Sequence, residues 1–298
     1  MVGAAEETTS GLRPLRAMQD RGALRLPVVA VNDARVKTLF DNRYGTGQSC
    51  VFAVLDLLDA VVGHHVVPGP GGTAAVLGYG PVGEGVAQVL AALGFRVVVA
   101  EVDPVRALQA VFAGHAVAPV RDAVADAVLV VSATGVRDTV SLDVLRACAP
   151  DAVVAVAGGV EQEVAVDDAV AAGAVRTTIA PRVERVTVPG AGAGAGGRGG
   201  TVLLIDGGGC VNVTAAEGNP IEIMDLSFAA QLGAVRMLLE RGDDLAVGVH
   251  ALDPAVDGRI AATALARLGI AVDPPHAEDA TVDPSLIDVR THRFGVPR

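Results

Sequence analysis

Gly78-Tyr79-Gly80-Pro81-Val82-Gly83 follows directly on the apolar run Thr73–Leu77 and opens the helical pattern Val82–Leu93. A strand, a glycine turn and a helix in that order favour one architecture strongly. The glycines allow a tight turn and let backbone N–H groups approach a pyrophosphate at the helix N-terminus. In a chain with 36 glycines the pattern alone carries little, so the flanking strand and helix decide the reading. The next strand pattern, Phe95–Ala100, is followed by Glu101. An acid at that point accepts hydrogen bonds from ribose hydroxyls and repels a 2′-phosphate, so the predicted cofactor is NAD rather than NADP.

The alternation continues. Val-rich strand patterns at Ala127–Val131, Val153–Val156 and Val202–Ile205 are interleaved with helical patterns at Pro104–Phe112 and Ser141–Cys148. This predicts an α/β fold, a Rossmann-type doubly wound parallel sheet. Before the sheet, residues 1–45 read as polar and irregular, apart from a short helical pattern at Leu12–Gln19 and an apolar run at Leu26–Val31. Ser49–Val62 repeats apolar residues at helical spacing, and His64–Gly72 punctuates the chain with Pro and Gly. Gly190–Gly200, whose one charge is Arg198, reads as a flexible loop. A long helix is predicted over Ile223–Arg241, and the Pro- and Asp-rich tail from Val272 reads as extended.

Composition removes several function classes. Apolar residues make up 51% and charged residues 19% of the 298, which excludes wholesale disorder. The mean hydropathy of +0.47 comes from Ala, Val and Gly. No charge-free apolar stretch reaches the roughly 18 residues of a membrane span, and the acidic MVGAAEETTSG start lacks the features of a secretory signal. The net charge of −11, with no basic run, argues against nucleic acid as a partner. Cys50, Cys148 and Cys210 are far apart, and neither a disulfide framework nor a metal site is indicated. The expectation is a soluble, cytoplasmic protein.

Lys37 is the sole lysine among 23 basic residues. It stands four residues before Asp41, so on a helix the two share a face. On spacing alone a surface ion pair is the favoured reading; a base beside a nicotinamide is the other.

Taken in order, Glu6-Glu7-Thr8-Thr9-Ser10-Gly11, then AVNDARVKTLFDNRYG from Ala30, GYGPVGEG from Gly78, AEVDPVRALQA from Ala100, Ser132-Ala133-Thr134-Gly135 and Val211–Pro220 resemble the S-adenosylhomocysteine hydrolases. The resemblance runs from Ala4 to about Ile270. It implies a tightly held NAD that oxidises the 3′-hydroxyl of an adenosine moiety, a lysine–aspartate pair that assists removal of the 4′-hydrogen, elimination of the 5′-substituent, and a final reduction. By position, Glu7, Lys37 and Asp41 would bind substrate, with Lys37 and Asp41 catalytic. Thr8, Thr9, Ser10, Asn42, Gly78, Tyr79, Gly80, Pro81, Val82, Gly83, Glu101, Arg106, Thr134, Gly158 and Asn212 would surround NAD. The implied layout is a substrate-domain remnant and hinge over residues 1–45, an NAD-binding domain over 46–215, a helical return to the substrate domain over 216–270, and a tail over 271–298.

The departures also constrain function. Histidines of the family pattern are replaced by Gly159 and Asn219, a cysteine by Thr46 and an asparagine by Arg106, while Arg290 and Phe294 take the spacing of a Lys…Tyr pair in the family tail. His64, His65, His115, His250, His276 and His292 lie outside the matching blocks. The long N-terminal segment of the family, which builds most of its substrate domain, has no counterpart before Glu6. The expectation is therefore an NAD-dependent, adenosylhomocysteinase-like hydrolase or lyase acting on an adenine nucleoside or an S-adenosylhomocysteine-like molecule. A second polypeptide would complete the substrate domain, in a homo- or hetero-oligomer. The apolar face Ile223, Leu226, Phe228, Leu232 and Leu238 is expected to be partly uncovered. Ordinary S-adenosylhomocysteine hydrolysis and a non-catalytic NAD-binding regulatory subunit are the alternatives.

Overall fold

Strands that are apolar at nearly every position need cover on both faces, and the helices between them supply it. A computed structural model describes residues 2–59, 61, 70–159, 162–190, 200–241 and 244–273. From the N-terminus, β1 (Ala4–Glu6), α1 (Thr9–Asp20) and β2 (Pro27–Ala30) lead into consecutive helical turns. These are a 3-10 turn at Val31–Asp33, α2 (Arg35–Lys37), a wide π-helical stretch at Thr38–Thr46, and α3 (Gly47–Asp59). The N-terminal segment is thus regular where its polarity suggests irregularity. Thr8 caps α1 by accepting from the Gly11 N–H.

The alternating part runs β3 (Thr73–Leu77), α4 (Pro81–Ala92), β4 (Arg96–Ala100), α5 (Pro104–Phe112), β5 (Ala116–Val117), α6 (Val120–Ala125), β6 (Leu129–Ser132), α7 (Leu142–Ala147), β7 (Ala152–Val156) and α8 (Val166–Ala171). A hairpin of β8 (Val175–Ala180) and β9 (Val183–Val188) follows, then β10 (Gly200–Ile205). The sheet order is β5-β4-β3-β6-β7-β10-β9-β8. Its first six strands are parallel, and β9 is antiparallel to both neighbours. The chain works outward from β3 and then crosses back to β6. That switch point sits at the glycine turn, where a doubly wound sheet opens a crevice for ligands.

Alternate residues of each strand enter opposite cores. Val76, Val99, Val131 and Val153 pack under α3 and α4, and Ala75, Val130, Val154 and Leu204 under α6, α7 and α8. The sequence pattern does not predict the hairpin, because β8 keeps Val175 and its polar neighbours in solvent and lacks the apolar signature of its partners.

A second sheet has the order β1-β2-β11, all parallel. It forms after α9 (Val211–Thr214) and α10 (Ile221–Arg241), which precede β11 (Gly248–Ala251) and α11 (Pro254–Arg267). Its core joins Val29, Val31, Ala34 and Val36 to Ala230, Ala234, Leu238 and Leu252. Leu238, expected on the uncovered face of α10, is therefore buried. The exposed stripe is Phe228, Leu232, Val235 and Leu239, spaced four, three and four residues apart. Ile223 and Leu226 are half-buried.

Two glycines fix how the two parts meet. A Cβ on Gly47 would stand 2.6 Å from the Gly85 carbonyl carbon, and one on Gly85 would overlap the Arg43 carbonyl oxygen. Backbone lies directly on backbone there, which presses the π-helical stretch against the first turns of α4. Among the described residues no helix is long and apolar enough to cross a membrane.

Candidate active site

The glycine turn has the form needed to hold a dinucleotide. Gly78 has φ +91°, a left-handed conformation that favours glycine. A Cβ on Gly83 would overlap the Gly78 carbonyl oxygen, so α4 can start this close to β3 only without a side chain. Gly80 caps α4 with no side-chain hydrogen bond and Pro81 begins the helix, which leaves the N-terminal N–H groups without a side-chain acceptor. Glu101, at the end of β4, accepts from the N–H groups of Tyr79 at 2.7 Å, Val102 at 2.7 Å and Asp103 at 3.0 Å. The carboxylate is thereby held at the lip of the turn. Arg106, paired with Asp103, reaches the turn, with Nη1 3.5 Å from where a Gly80 Cβ would lie. Val82 packs against the core at the start of α4. Tyr79 differs from the others: its ring is buried edge-on to His115, 6.0 Å between centroids, so only its backbone belongs to the turn.

Lys37 and Asp41 are not a surface pair. Both are buried, at 4% and 6% exposure, and Lys37 Nζ lies 3.0 Å from Asp41 Oδ2. The π-helical widening brings residues four and five positions on to the same side, so Lys37 Nζ also donates to Asn42 Oδ1 at 2.6 Å. Asn42 in turn donates to Asn32 Oδ1 at 3.0 Å and to Thr38 Oγ1 at 3.3 Å. Asp41 accepts from the Ser227 hydroxyl of α10 at 3.1 Å and from Asn219 Nδ2. The carboxylate is thus held by one ammonium, one hydroxyl and one amide in a water-poor site, where such bonds are strong.

Asn219 is the hub between this pair and the large sheet. Its amide N–H₂ also donates to Thr46 Oγ1 at 3.1 Å, while its oxygen accepts from Ser49 Oγ at 2.8 Å and Asn212 Nδ2 at 3.1 Å. Cys210 donates to Asn212 Oδ1 at 3.1 Å. Cys50 and Cys210 share a hydrogen bond that pushes the Cys50 thiol up, with burial adding to it, and holds Cys210 below the usual thiol range.

Glu7 enters from the other side. Its Oε1 is buried with no hydrogen-bond partner, a position suited to a donor from a ligand. Burial raises its pKa above the ordinary carboxylate value; Lys37 opposes that shift and Asp41 reinforces it, so the three charges belong to one site. Thr9 Oγ1 donates to Asn32 at 3.2 Å, Ser10 Oγ to Thr8 Oγ1 at 3.3 Å, and Thr8 Oγ1 to Glu6 at 2.6 Å. A Cβ on Gly159 would lie 3.3 Å from Ser10 Oγ, so the start of α1 meets the segment that follows β7. Arg13 donates to the carbonyls of Gly135 at 2.6 Å and Thr134 at 3.1 Å, tying α1 to the loop after β6.

The residues that sequence reasoning missed are Asn32, Ser227 and Glu163, all buried. Ser227 carries one faint signal, a small polar residue on the inner face of α10. Asn219 figures in the sequence pattern only as a replacement. His64, His65, His276, His292, Arg290 and Phe294 lie outside the described residues. Among the described residues no group of three or more His, Cys, Asp or Glu side chains could hold a metal.

Comparison with known proteins gives the arrangement a lineage. The family described as S-adenosyl-L-homocysteine hydrolase, NAD binding domain, matches residues 43–218. The adenosylhomocysteinase of Thermotoga maritima is 40% identical over 274 residues, which are 92% of this chain and 64% of that protein. The S-inosyl-L-homocysteine hydrolase of Methanopyrus kandleri is 37% identical over 276 residues, 92% of this chain and 61% of that protein. The chain thus spans less than two thirds of the length of these relatives. Among solved structures, a glyoxylate reductase from Paecilomyes thermophila is 13% identical, covers 52% of this chain and 50% of its own, and has a TM-score of 0.35. With the glycine turn, the acid after β4 and the buried Lys37 cluster on one scaffold, this chain belongs to the S-adenosyl-L-homocysteine hydrolase family, and its residues 43–218 match that family's NAD-binding domain.

Proposed function

We propose that the chain is the NAD-binding and base-carrying part of an enzyme that acts on an adenine nucleoside by 3′-oxidation, 4′-proton abstraction and 5′-elimination. The observation that carries this reading is the convergence of a buried Lys37–Asp41 pair with the unpartnered Glu7 Oε1. Bound NAD supplies the oxidising power for a secondary alcohol and its later return.

The residues of the chain do the rest. Glu7 accepts from a ribose hydroxyl and orients the sugar. Lys37 Nζ, held by Asp41 and Asn42, carries the proton at the 3′- and 4′-positions, while Ser227 and Asn219 keep Asp41 in place. Burial keeps bulk water off the pair, which strengthens its interactions with the reacting sugar. An ordinary surface ion pair would need none of these supports, and a regulatory subunit without chemistry would have no use for them.

Protonation of the leaving group falls outside this cluster. Asn219 and Gly159 stand where the family pattern has histidines, and neither can carry a proton. We infer that the groups for the 5′-end come from polypeptide beyond these 298 residues, in a longer chain or a second one. The exposed stripe Phe228, Leu232, Val235 and Leu239 on α10 is the surface it would cover. The names of the relatives favour the thioethers S-adenosyl- or S-inosyl-L-homocysteine as substrates; elimination without rehydration is the variant suited to a site lacking those histidines.

The test is the NADH absorbance band on mixing the NAD-loaded protein with adenosine or 3′-deoxyadenosine, alone and with the completing polypeptide. The reading expects the band with adenosine only. A band with both, or with neither despite bound NAD, contradicts it.

A further inference from the structure

Glu163 is the one fully buried carboxylate among the described residues, at 0% exposure, and the proposed chemistry does not use it. It lies in the segment between β7 and α8 and reaches back under the loop after β6. Its Oε2 accepts from the Ser132 hydroxyl at 2.6 Å, the Thr134 hydroxyl at 3.0 Å and the Thr134 N–H at 3.3 Å; its Oε1 accepts from the Gly135 N–H at 3.1 Å. Among the described residues no cation pairs with it. A buried carboxylate is tolerated only when its lone pairs are filled, and here the donors come from three residues of one loop, Ser132, Thr134 and Gly135.

Three further features show that the loop is built around this group. A Cβ on Gly158 would overlap Glu163 Oε1, so Gly158 leaves the room that the carboxylate occupies. Arg13 grips the outward carbonyls of Thr134 and Gly135 while Glu163 holds their inward N–H groups. The glycine turn rests on the same loop, since a Cβ on Gly78 would lie 3.0 Å from Thr134 Cγ2.

The loop also has a defined place in the cleft. With the order β4-β3-β6-β7, Glu101 stands on the β4 side of the glycine turn and the Ser132–Gly135 loop on the β6 side. A dinucleotide laid across the switch point has its adenosine half toward Glu101 and its other half toward this loop.

We propose that Glu163 is a positioning residue for the nicotinamide half of the cofactor: it fixes the loop after β6, and through Arg13 the start of α1, in the shape that this half of NAD requires. The proposal rests on NAD occupying the cleft and is independent of the substrate.

The experiment is calorimetric titration of the full chain with NAD and, separately, with ADP, which lacks the nicotinamide half. Glu163→Gln places a donor against N–H groups, and it is expected to weaken NAD about tenfold or more while leaving ADP affinity unchanged. Ser132→Ala removes the shortest of the four bonds from a residue at 0% exposure that no ligand can touch, and should shift NAD in the same direction by a smaller factor. It also carries the test if Glu163→Gln fails to fold. Equal losses for NAD and ADP would reduce Glu163 to a general structural role and overturn the proposal, as would unchanged NAD affinity in a folded variant.

Discussion

Replacing Lys37 by Met is expected to leave NAD bound and to cut the adenosine-driven appearance of NADH by about 10²–10⁴-fold, the contribution of a positioned proton-transfer group. The glycine turn, Glu101 and Arg106 are untouched by the change, so cofactor affinity measured by calorimetry should stay near that of the parent protein. Met keeps much of the lysine volume in the buried slot. Asp41 retains Ser227 and Asn219 as donors, so it is not left orphaned. The buried pair is still broken from one side, so some stability is lost with the rate, and the rate is compared on folded, NAD-loaded protein. Undiminished reduction of NAD in a folded Lys37→Met protein would remove Lys37 from the chemistry.

Replacing Asp41 by Asn is expected to act on stability as well as on rate. The change is isosteric, but it takes the paired carboxylate away from a buried ammonium and turns one acceptor into a donor facing Lys37, Ser227 or Asn219. Breaking a buried pair from one side costs about 3–5 kcal/mol. In a domain of this size that corresponds to a fall in Tm of roughly 5–15 °C. The damage should centre where the π-helical stretch, α10 and α3 meet, because Asp41 and Asn219 bind those elements together. Thermal denaturation followed by circular dichroism reads the effect directly. A Tm unchanged within about 2 °C would mean that the pair is far better hydrated than its burial indicates.

These effects can be drawn from the sequence only in part. The main strands and helices are legible because a parallel sheet covered on both faces forces unbroken Val and Ala runs, and β3 and α5 fall on their expected residues. Lys37 and Asp41 stand out through their spacing, yet spacing alone favours a surface pair. Their burial depends on Ser227 and Asn219, which lie 186 and 178 residues from Asp41 along the chain. No local pattern reports a contact of that range. Glu163 sits in a polar stretch, Glu161-Gln162-Glu163, that reads as solvent-exposed; its burial follows from the space left by Gly158. The strand β8 escapes for the opposite reason, since Val175–Thr178 stand in solvent and carry little of the apolar signal on which sequence reading depends.

The central claim is that Lys37, in its neutral amine form, takes the proton from C4′ of a nucleoside once the sugar is oxidised, and returns one from the ammonium so formed. Over many turnovers that ammonium equilibrates with solvent, so deuterium exchange tests the claim most directly. The NAD-loaded protein, with the completing polypeptide where one is needed, is incubated with adenosine in D₂O, and the recovered adenosine is analysed at C4′ by NMR. The account predicts deuterium at C4′ with the parent protein, and retained hydrogen with Lys37→Met or with 3′-deoxyadenosine as substrate. Retained hydrogen in adenosine from the parent protein, under conditions where NADH forms, would contradict it.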